Sequence, residues 1–298
     1  MNRRRRRVKL PVVEYTTLID ARVLAARIGA GGIAVVDCRF DLARAAAGRE
    51  AYLTAHIPGA RYAALDRDLS AAPSAGTGRH PLPPPQRFAQ RLGELGIGND
   101  TQVVAYDGSN GAFAARLWWM LRWLGHRRAA VLDGGYAAWA SSGGALQAGE
   151  PPAAPRREFV PQVESEAVVS TAQLLEALRD ARRVLVDARA AERYRGDVEP
   201  LDRVAGHVPG ARNYPYALNL DAGGGLFLPP AELRRRWLDF LGGAAAAQTI
   251  AMCGSGVSAC HNLLALEAAG LAGAKLYAGS FSEWIADPGR RVATGSRP

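Results

Sequence analysis

The sequence predicts an α/β protein made of two tandem domains, each a mainly parallel β-sheet with helices on both faces. Three observations carry this. Short, uniformly apolar runs alternate with helical periodicity along the chain, the pattern of parallel strands covered on both sides. Motifs recur at a very long period: Ile33-Ala34-Val35-Val36-Asp37-Cys38-Arg39 returns as Arg183-Val184-Leu185-Val186-Asp187-Ala188-Arg189, an offset of 150 (33 to 183), and His56-Ile57-Pro58-Gly59-Ala60-Arg61 returns as His207-Val208-Pro209-Gly210-Ala211-Arg212 at 151 (56 to 207). Between the copies, residues 150–161 are rich in proline and charge and hold neither a helix nor a central strand.

The boundaries follow: an Arg-rich tail over 1–12, an N-terminal domain over 13–145, a semi-rigid Pro-rich linker over 146–165 and a C-terminal domain over 166–290. Each domain opens with an amphipathic helix. Asp20 caps the first, which runs through Ile28; Ser170 or Thr171 caps the second, which runs through Leu178. A buried strand follows, over 33–36 and 184–186. Another helix leads to a second strand, over 102–106 and 248–252, which passes at once into a Gly-containing turn and a helix, over 113–124 and 259–269. Short strands at 129–132 and 275–277 come after these helices. The repeat persists here, residues 104–109 matching 250–255 at 146 (104 to 250) and Trp139 matching Trp284 at 145 (139 to 284). In such sheets ligands collect beyond the carboxyl ends of the strands, which is where Cys253 falls.

With 298 residues and 48% hydrophobic composition, the chain can build two cores. A formal charge of +9 suggests a polyanionic partner, but five of those charges are the run Arg3-Arg4-Arg5-Arg6-Arg7, read as a solvated end, and no specific nucleic-acid binding is expected. There is no apolar run of about 18 residues and no apolar export segment, so a cytoplasmic protein without membrane association is expected. Three cysteines, Cys38, Cys253 and Cys260, are too few and too unevenly placed for a disulfide framework, which fits a reduced compartment.

The stretch Ala251-Met252-Cys253-Gly254-Ser255-Gly256-Val257-Ser258-Ala259-Cys260 poses three alternatives: half a metal site, a disulfide, or a nucleophile loop. Zinc sites want pairs of ligands at shorter spacing and a second pair elsewhere, and a disulfide here would close a short, strained ring onto its own helix. A cysteine between a strand end and a helix start instead faces unpaired backbone N–H groups and the positive end of a helix dipole, which together favour thiolate over thiol. Gly254 and Gly256 let the backbone curl around the sulfur, and Ser255 and Ser258 add hydroxyl donors. Cys260 reads as a small buried apolar side chain and His261 as an ordinary helix residue. The first copy has Asp107 in place of Cys253, which makes the N-terminal domain non-catalytic.

Together these residues resemble the two-domain rhodaneses, and among them the mercaptopyruvate-using members, from about Val13 to Pro288. The most specific elements are the loop 253–258, the His-x-Pro-Gly-Ala pair at His56 and His207, and Asp133-Gly134-Gly135-Tyr136-Ala137-Ala138-Trp139. The resemblance implies ping-pong transfer of a sulfane sulfur: Cys253 takes sulfur from a small anionic donor as a persulfide, and thioredoxin, another thiol or cyanide removes it. It implies no metal and no organic cofactor, because the loop formed by Gly254, Gly256, Val257 and Ser258 stabilises the negative sulfur.

It also implies a donor clamp from Arg193, which stands before Tyr194. A second arginine is expected directly after a Glu-Pro pair, but Glu199-Pro200 is followed by Leu201, leaving Arg203 as the nearest candidate. Thiosulfate-preferring members place basic residues after the cysteine; Gly254 and Ser255 there favour the monoanion 3-mercaptopyruvate, with thiosulfate as the alternative donor. In the mercaptopyruvate branch the loop serine works with a histidine and an aspartate of the first domain, and the matching positions are Ser255, His80 and Asp68. Two rivals remain. A cysteine phosphatase would carry arginine where Ala259 stands, and a non-catalytic sulfur-carrying or sensing module would not need Cys253, Ser255 and Arg193 together.

Overall fold

The computed structural model describes residues 14–29, 32–223 and 225–298, so the Arg-rich tail lies outside the described residues. The first half carries β1 (Leu18–Ile19), α1 (Ala21–Ala25), β2 (Ile33–Asp37), α2 (Ala46–Thr54), β3 (Arg61–Tyr62), α3 (Pro85–Glu94), β4 (Gln102–Tyr106), α4 (Ala114–Trp123), β5 (Ala129–Leu132) and α5 (Gly135–Ser141). The second carries α6 (Thr171–Ala177), β6 (Val184–Asp187), α7 (Ala191–Arg195), β7 (Ala211–Asn213), α8 (Pro230–Leu241), β8 (Thr249–Met252), α9 (Ala259–Ala268), β9 (Lys275–Leu276) and α10 (Ser280–Trp284).

Both sheets are parallel throughout, in the orders β1-β5-β4-β2-β3 and β7-β6-β8-β9. The second order is the first without β1, read from the other edge. A single bridge from Val168 to Leu276 stands where β1 pairs with β5, and Leu18 to Val168 is again an offset of 150 (18 to 168). Every residue of β4 and β8 is buried, which is why neither run alternates in polarity.

Local chemistry sets the helix starts. Asp20 accepts the Arg22 and Val23 N–H groups at 2.7 and 3.3 Å, and Ser170 forms a capping box with Gln173. The first helix ends at Ala25, short of Ile28, because the Arg27 and Ile28 N–H groups both close back on the Leu24 carbonyl at 2.9 Å. The repeat extends to buried polar pairs. Asp37 with Arg39 and Asp187 with Arg189 are ion pairs at 2.6 and 2.7 Å, and His56 and His207 each place Nδ1 2.8 Å from a carbonyl, of Tyr52 and Tyr194. The two histidines therefore serve the fold.

The Pro-rich segment is not a free spacer. It lies along the first half, with Arg157 N–H on the Gly93 carbonyl, Gln162 N–H on the Leu124 carbonyl, Val160 paired with the Asn99 side chain, and Phe159 buried.

The halves share one apolar core, built where α4 packs on α9. His261 of α9 sits in that interface, with Nε2 3.1 Å from the Asn110 carbonyl, Nδ1 3.2 Å from Asn219, and its ring stacked on Phe227. Burial pushes its imidazole down to about 3. An unfolded chain binds that proton from about 6.5 downward while the folded protein does not until about 3, so stability falls as pH drops through this window. Urea midpoints are expected to fall between pH 7 and pH 4, and His261→Gln is expected to flatten that slope. Parallel slopes for the two proteins would contradict the assignment.

Candidate active site

Cys253 follows the last residue of β8, and the loop 253–258 delivers the chain into α9. Burial of Cys253 is nearly complete, at 2% exposure. Its N–H donates to Ser280 Oγ at 3.1 Å, its carbonyl accepts the Phe281 N–H at 3.0 Å, and the Gly254 carbonyl accepts the Ser282 N–H at 2.9 Å. The turn entering α10 thus braces the loop from behind. Ser280 does so with φ 53, a left-handed conformation that a serine adopts only when its surroundings fix it. Gly256 is also left-handed, with φ 76, and a Cβ there would collide with the Ala278 carbonyl.

The twin loop shows what this backbone shape accommodates. Asp107 is fully buried after β4, and its two oxygens accept four backbone N–H groups: Ser109 at 2.7 Å and Gly111 at 2.9 Å on Oδ1, Phe113 at 2.7 Å and Ala114 at 2.8 Å on Oδ2. Burial raises the carboxyl and those four donors oppose it. The strand-to-helix loop is an anion cradle, filled in the first half by its own carboxylate. In the second half the Ser255 and Val257 N–H groups, at the positions of Ser109 and Gly111, donate to no protein acceptor among the described residues.

Three residues of the first half reach this loop. His80 Nδ1 lies 2.8 Å from Ser255 Oγ. Burial first, then the Arg116 and Arg79 charges, push its imidazole down to about 4, so it is neutral at physiological pH. Arg116, on α4, is fully buried; it donates to the Gly256 carbonyl at 3.0 Å, the His80 carbonyl at 3.1 Å and the Leu69 carbonyl at 3.4 Å. Among the described residues no carboxylate pairs with it, and burial pushes its pKa down. Arg79 comes up to Gly254, where a Cβ would lie 2.9 Å from Arg79 Nη2 and 3.6 Å from Arg193 Nη2. With no side chain at Gly254, both guanidiniums lie close against the loop.

Behind those guanidiniums lie two buried carboxylates. Glu199 takes Arg193 at 2.6 Å, and Asp202 contacts both Arg193, at 3.2 Å, and Arg79. The expected second clamp residue, Arg203, points elsewhere: its guanidinium donates to the Ile285 and Ala286 carbonyls at the end of α10, a favourable place for a cation. Asp68 is likewise not behind His80. One oxygen accepts the Ala64 N–H at 2.7 Å and the other lies 2.9 Å from Arg91 Nε on α3, which holds the carboxylate there.

Arg79 and Arg116 escaped the sequence reading. Arg79 had a signal in standing next to His80, and Arg116 in being the one charge among Ala114, Ala115, Leu117 and Trp118. Val257 and Ser258 lead into α9, and Cys260 packs there with its thiol on the Gly256 carbonyl at 3.4 Å and pushed up to about 12 by burial. A separate cavity of about 390 Å³ between the halves, lined by Trp119 and Trp123, shares no residue with this site, and its charges are already paired, Arg122 with Glu267 and Lys275 with Glu166.

Residues 20–142 and 170–287 each match the rhodanese-like domain. The chain is similar to a probable 3-mercaptopyruvate sulfurtransferase of Pseudomonas aeruginosa, 49% identical over 280 residues that cover 93% of this chain and 98% of that one. It is also similar to a putative thiosulfate sulfurtransferase of Mycobacterium tuberculosis, 39% identical over 282 residues that cover 94% and 97%. Among solved structures, SseA of Escherichia coli, a 3-mercaptopyruvate sulfotransferase, is 33% identical with TM-score 0.76 over 90% of this chain and 100% of its own. The 3-mercaptopyruvate sulfurtransferase of Leishmania major is 30% identical with TM-score 0.80 over 90% and 74%. With both halves matched and the Pseudomonas and Mycobacterium relatives covered almost end to end, the protein belongs to the rhodanese family, as a tandem pair of rhodanese-like domains of the sulfurtransferase kind.

Proposed function

We propose that this sulfurtransferase takes its sulfur from 3-mercaptopyruvate and passes it, through a Cys253 persulfide, to a thiol acceptor such as thioredoxin. The observation that carries the donor assignment is the 2.8 Å contact between Ser255 Oγ and the neutral His80 imidazole beside the cysteine loop. Thiosulfate releases sulfite, a stable anion that needs no proton. Mercaptopyruvate releases the carbon end of a C–S bond, which leaves as the enolate of pyruvate and must be protonated. A hydroxyl–imidazole pair at the loop serves the second reaction and is superfluous to the first.

In the transfer step the Cys253 thiolate attacks the donor sulfur. An S–S bond forms, the C–S bond breaks, and its electron pair goes to carbon. The donor thiol proton passes to that carbon through Ser255 and His80, leaving Cys253–S–S⁻ and pyruvate, with no net oxidation. Arg79 and Arg193 are placed to hold the donor carboxylate. An acceptor thiolate then attacks the outer sulfur, and Cys253 leaves as thiolate. Cys38 and Cys260 are free, buried thiols, which supports work in a reducing compartment such as the cytoplasm.

Purified protein given 3-mercaptopyruvate and a thiol is expected to release pyruvate and to gain about 32 Da on Cys253, one sulfur atom by intact mass. Absence of that adduct with either donor would refute sulfur transfer. Cys253→Ser is expected to abolish turnover, while Cys38→Ser and Cys260→Ser keep most of it.

Ser255→Ala and His80→Ala are expected to lower kcat with mercaptopyruvate about a hundredfold, the usual range for a lost proton-transfer group, and to lower thiosulfate turnover far less. Equal losses with both donors would remove the proton-relay role and, with it, the basis for the donor assignment.

A further inference from the structure

The clamp beside Cys253 sits on an ion network whose charges cancel. Arg79, Arg189 and Arg193 contact Asp187, Glu199 and Asp202, three cations against three anions. The arrangement is layered. Glu199 and Asp202 are 3% and 2% exposed, whereas Arg193 and Arg79 are 18% and 31% exposed, so the carboxylates lie beneath and the guanidiniums face the loop. Asp202 occupies a particular place in it, being the one carboxylate among the described residues that touches both clamp arginines. Its own N–H is fixed on Glu199 Oε1 at 3.0 Å.

Glu199 by itself suffices to orient Arg193. It takes Nη2 on one oxygen at 2.6 Å and Nε on the other at 3.3 Å, and its second oxygen also meets Arg189 at 3.4 Å. Asp202 therefore adds little to the direction in which Arg193 points. What it adds is a unit of negative charge directly behind the two groups that receive the donor. Burial raises its carboxyl, and Arg79, the largest opposing influence, works against that together with Arg193; the carboxylate contacts both guanidiniums, one oxygen to each. His80 is neutral there and contributes no compensating charge.

We propose that Asp202 selects the donor by charge, its carboxylate cancelling one of the two clamp guanidiniums so that the site accepts a monoanion and disfavours a dianion. The proposal rests on the sulfur-transfer reading above and names what sets its donor preference. Asp202 is a positioning and charge-setting residue that acts through Arg79 and Arg193; it does not contact the reacting sulfur. A mercaptopyruvate carboxylate adds one negative charge to a balanced clamp, and thiosulfate adds two. Removing the Asp202 charge favours the dianion over the monoanion by one extra unit of Coulomb attraction. At a separation of about 8 Å, in the effective dielectric of about 20–30 suited to such sites, that is about a ten- to thirtyfold change in the ratio of the two donors.

The test is the ratio of kcat/KM for thiosulfate to that for 3-mercaptopyruvate, measured on the full chain with one thiol acceptor at fixed salt. Asp202→Asn, which keeps shape and removes charge, is expected to raise the ratio about ten- to thirtyfold, and Asp202→Glu to return it towards the unaltered value. A general structural defect would lower both donors together and leave the ratio in place. Leu201→Lys adds a positive charge at an exposed neighbouring position and is expected to move the ratio the same way, which keeps the test decisive even where Asp202→Asn does not fold. A ratio that stays within about twofold, or that moves towards mercaptopyruvate, overturns the proposal. A preference of the unaltered protein for thiosulfate would overturn the donor assignment instead, because the charge effect is read as a change in ratio and is scored whichever donor is favoured.

Discussion

A helix that begins straight after a buried strand presents backbone N–H groups that have no partner in the helix and no water beside them. Something negative has to meet them. In the first half that partner is built in: Asp107 turns both carboxylate oxygens inward onto four N–H groups. In the second half the same turn carries Cys253, whose side chain is shorter and ends in sulfur. On the proposed sulfur-transfer reading, a persulfide adds one atom to that side chain, and the loop geometry that holds a carboxylate in one copy serves the reaction intermediate in the other. The fold and the chemistry thus answer to a single electrostatic requirement at a strand-to-helix turn.

That requirement explains why the two halves share a core. The catalytic loop is braced on one side by its own half, through Ser280 and the turn into α10. On the other side it is braced by the first half, through Arg116 on the Gly256 carbonyl and His80 on Ser255. A fully buried guanidinium with no carboxylate partner is costly, since burial disfavours its charge. The position is tolerable because three carbonyls accept its protons. Replacement of Arg116 by a neutral residue would leave the Gly256 and His80 carbonyls without their donor and the cradle without its nearest buried positive charge.

Much of this was legible in the sequence because it follows from local rules. The long-period repeat gave two parallel sheets, and β2, β4, β5, β6, β8, α4 and α9 lie within a residue or two of the expected runs, since continuous apolar strands and a cysteine followed by glycines leave few other readings. Ser255, His80 and Arg193 come together around the loop that carries Cys253. The errors at the site concern side chains that travel far from their own backbone. Arg203 follows Glu199-Pro200 closely, yet its long side chain finds the carbonyls ending α10, and Asp68 lies near His80 in sequence yet is drawn to Arg91 on α3. Arg79 and Arg116 were missed for the same reason, because their partners lie 123 and 140 positions away along the chain.

The first half is then more than a catalytic domain that lost its sulfur. Asp107 accepts the Phe113 and Ala114 N–H groups, which fixes the start of α4, and Arg116 projects from that same first turn. The carboxylate that replaced the nucleophile therefore anchors the helix that carries a buried cation into the partner loop. A cysteine at that position would leave the turn dependent on a reactive sulfur, whereas an aspartate satisfies the same donors permanently. Divergence of the two copies at this one position separates the tasks: one cradle is filled so that its helix stays in place, and the other is left to the cysteine of the proposed transfer.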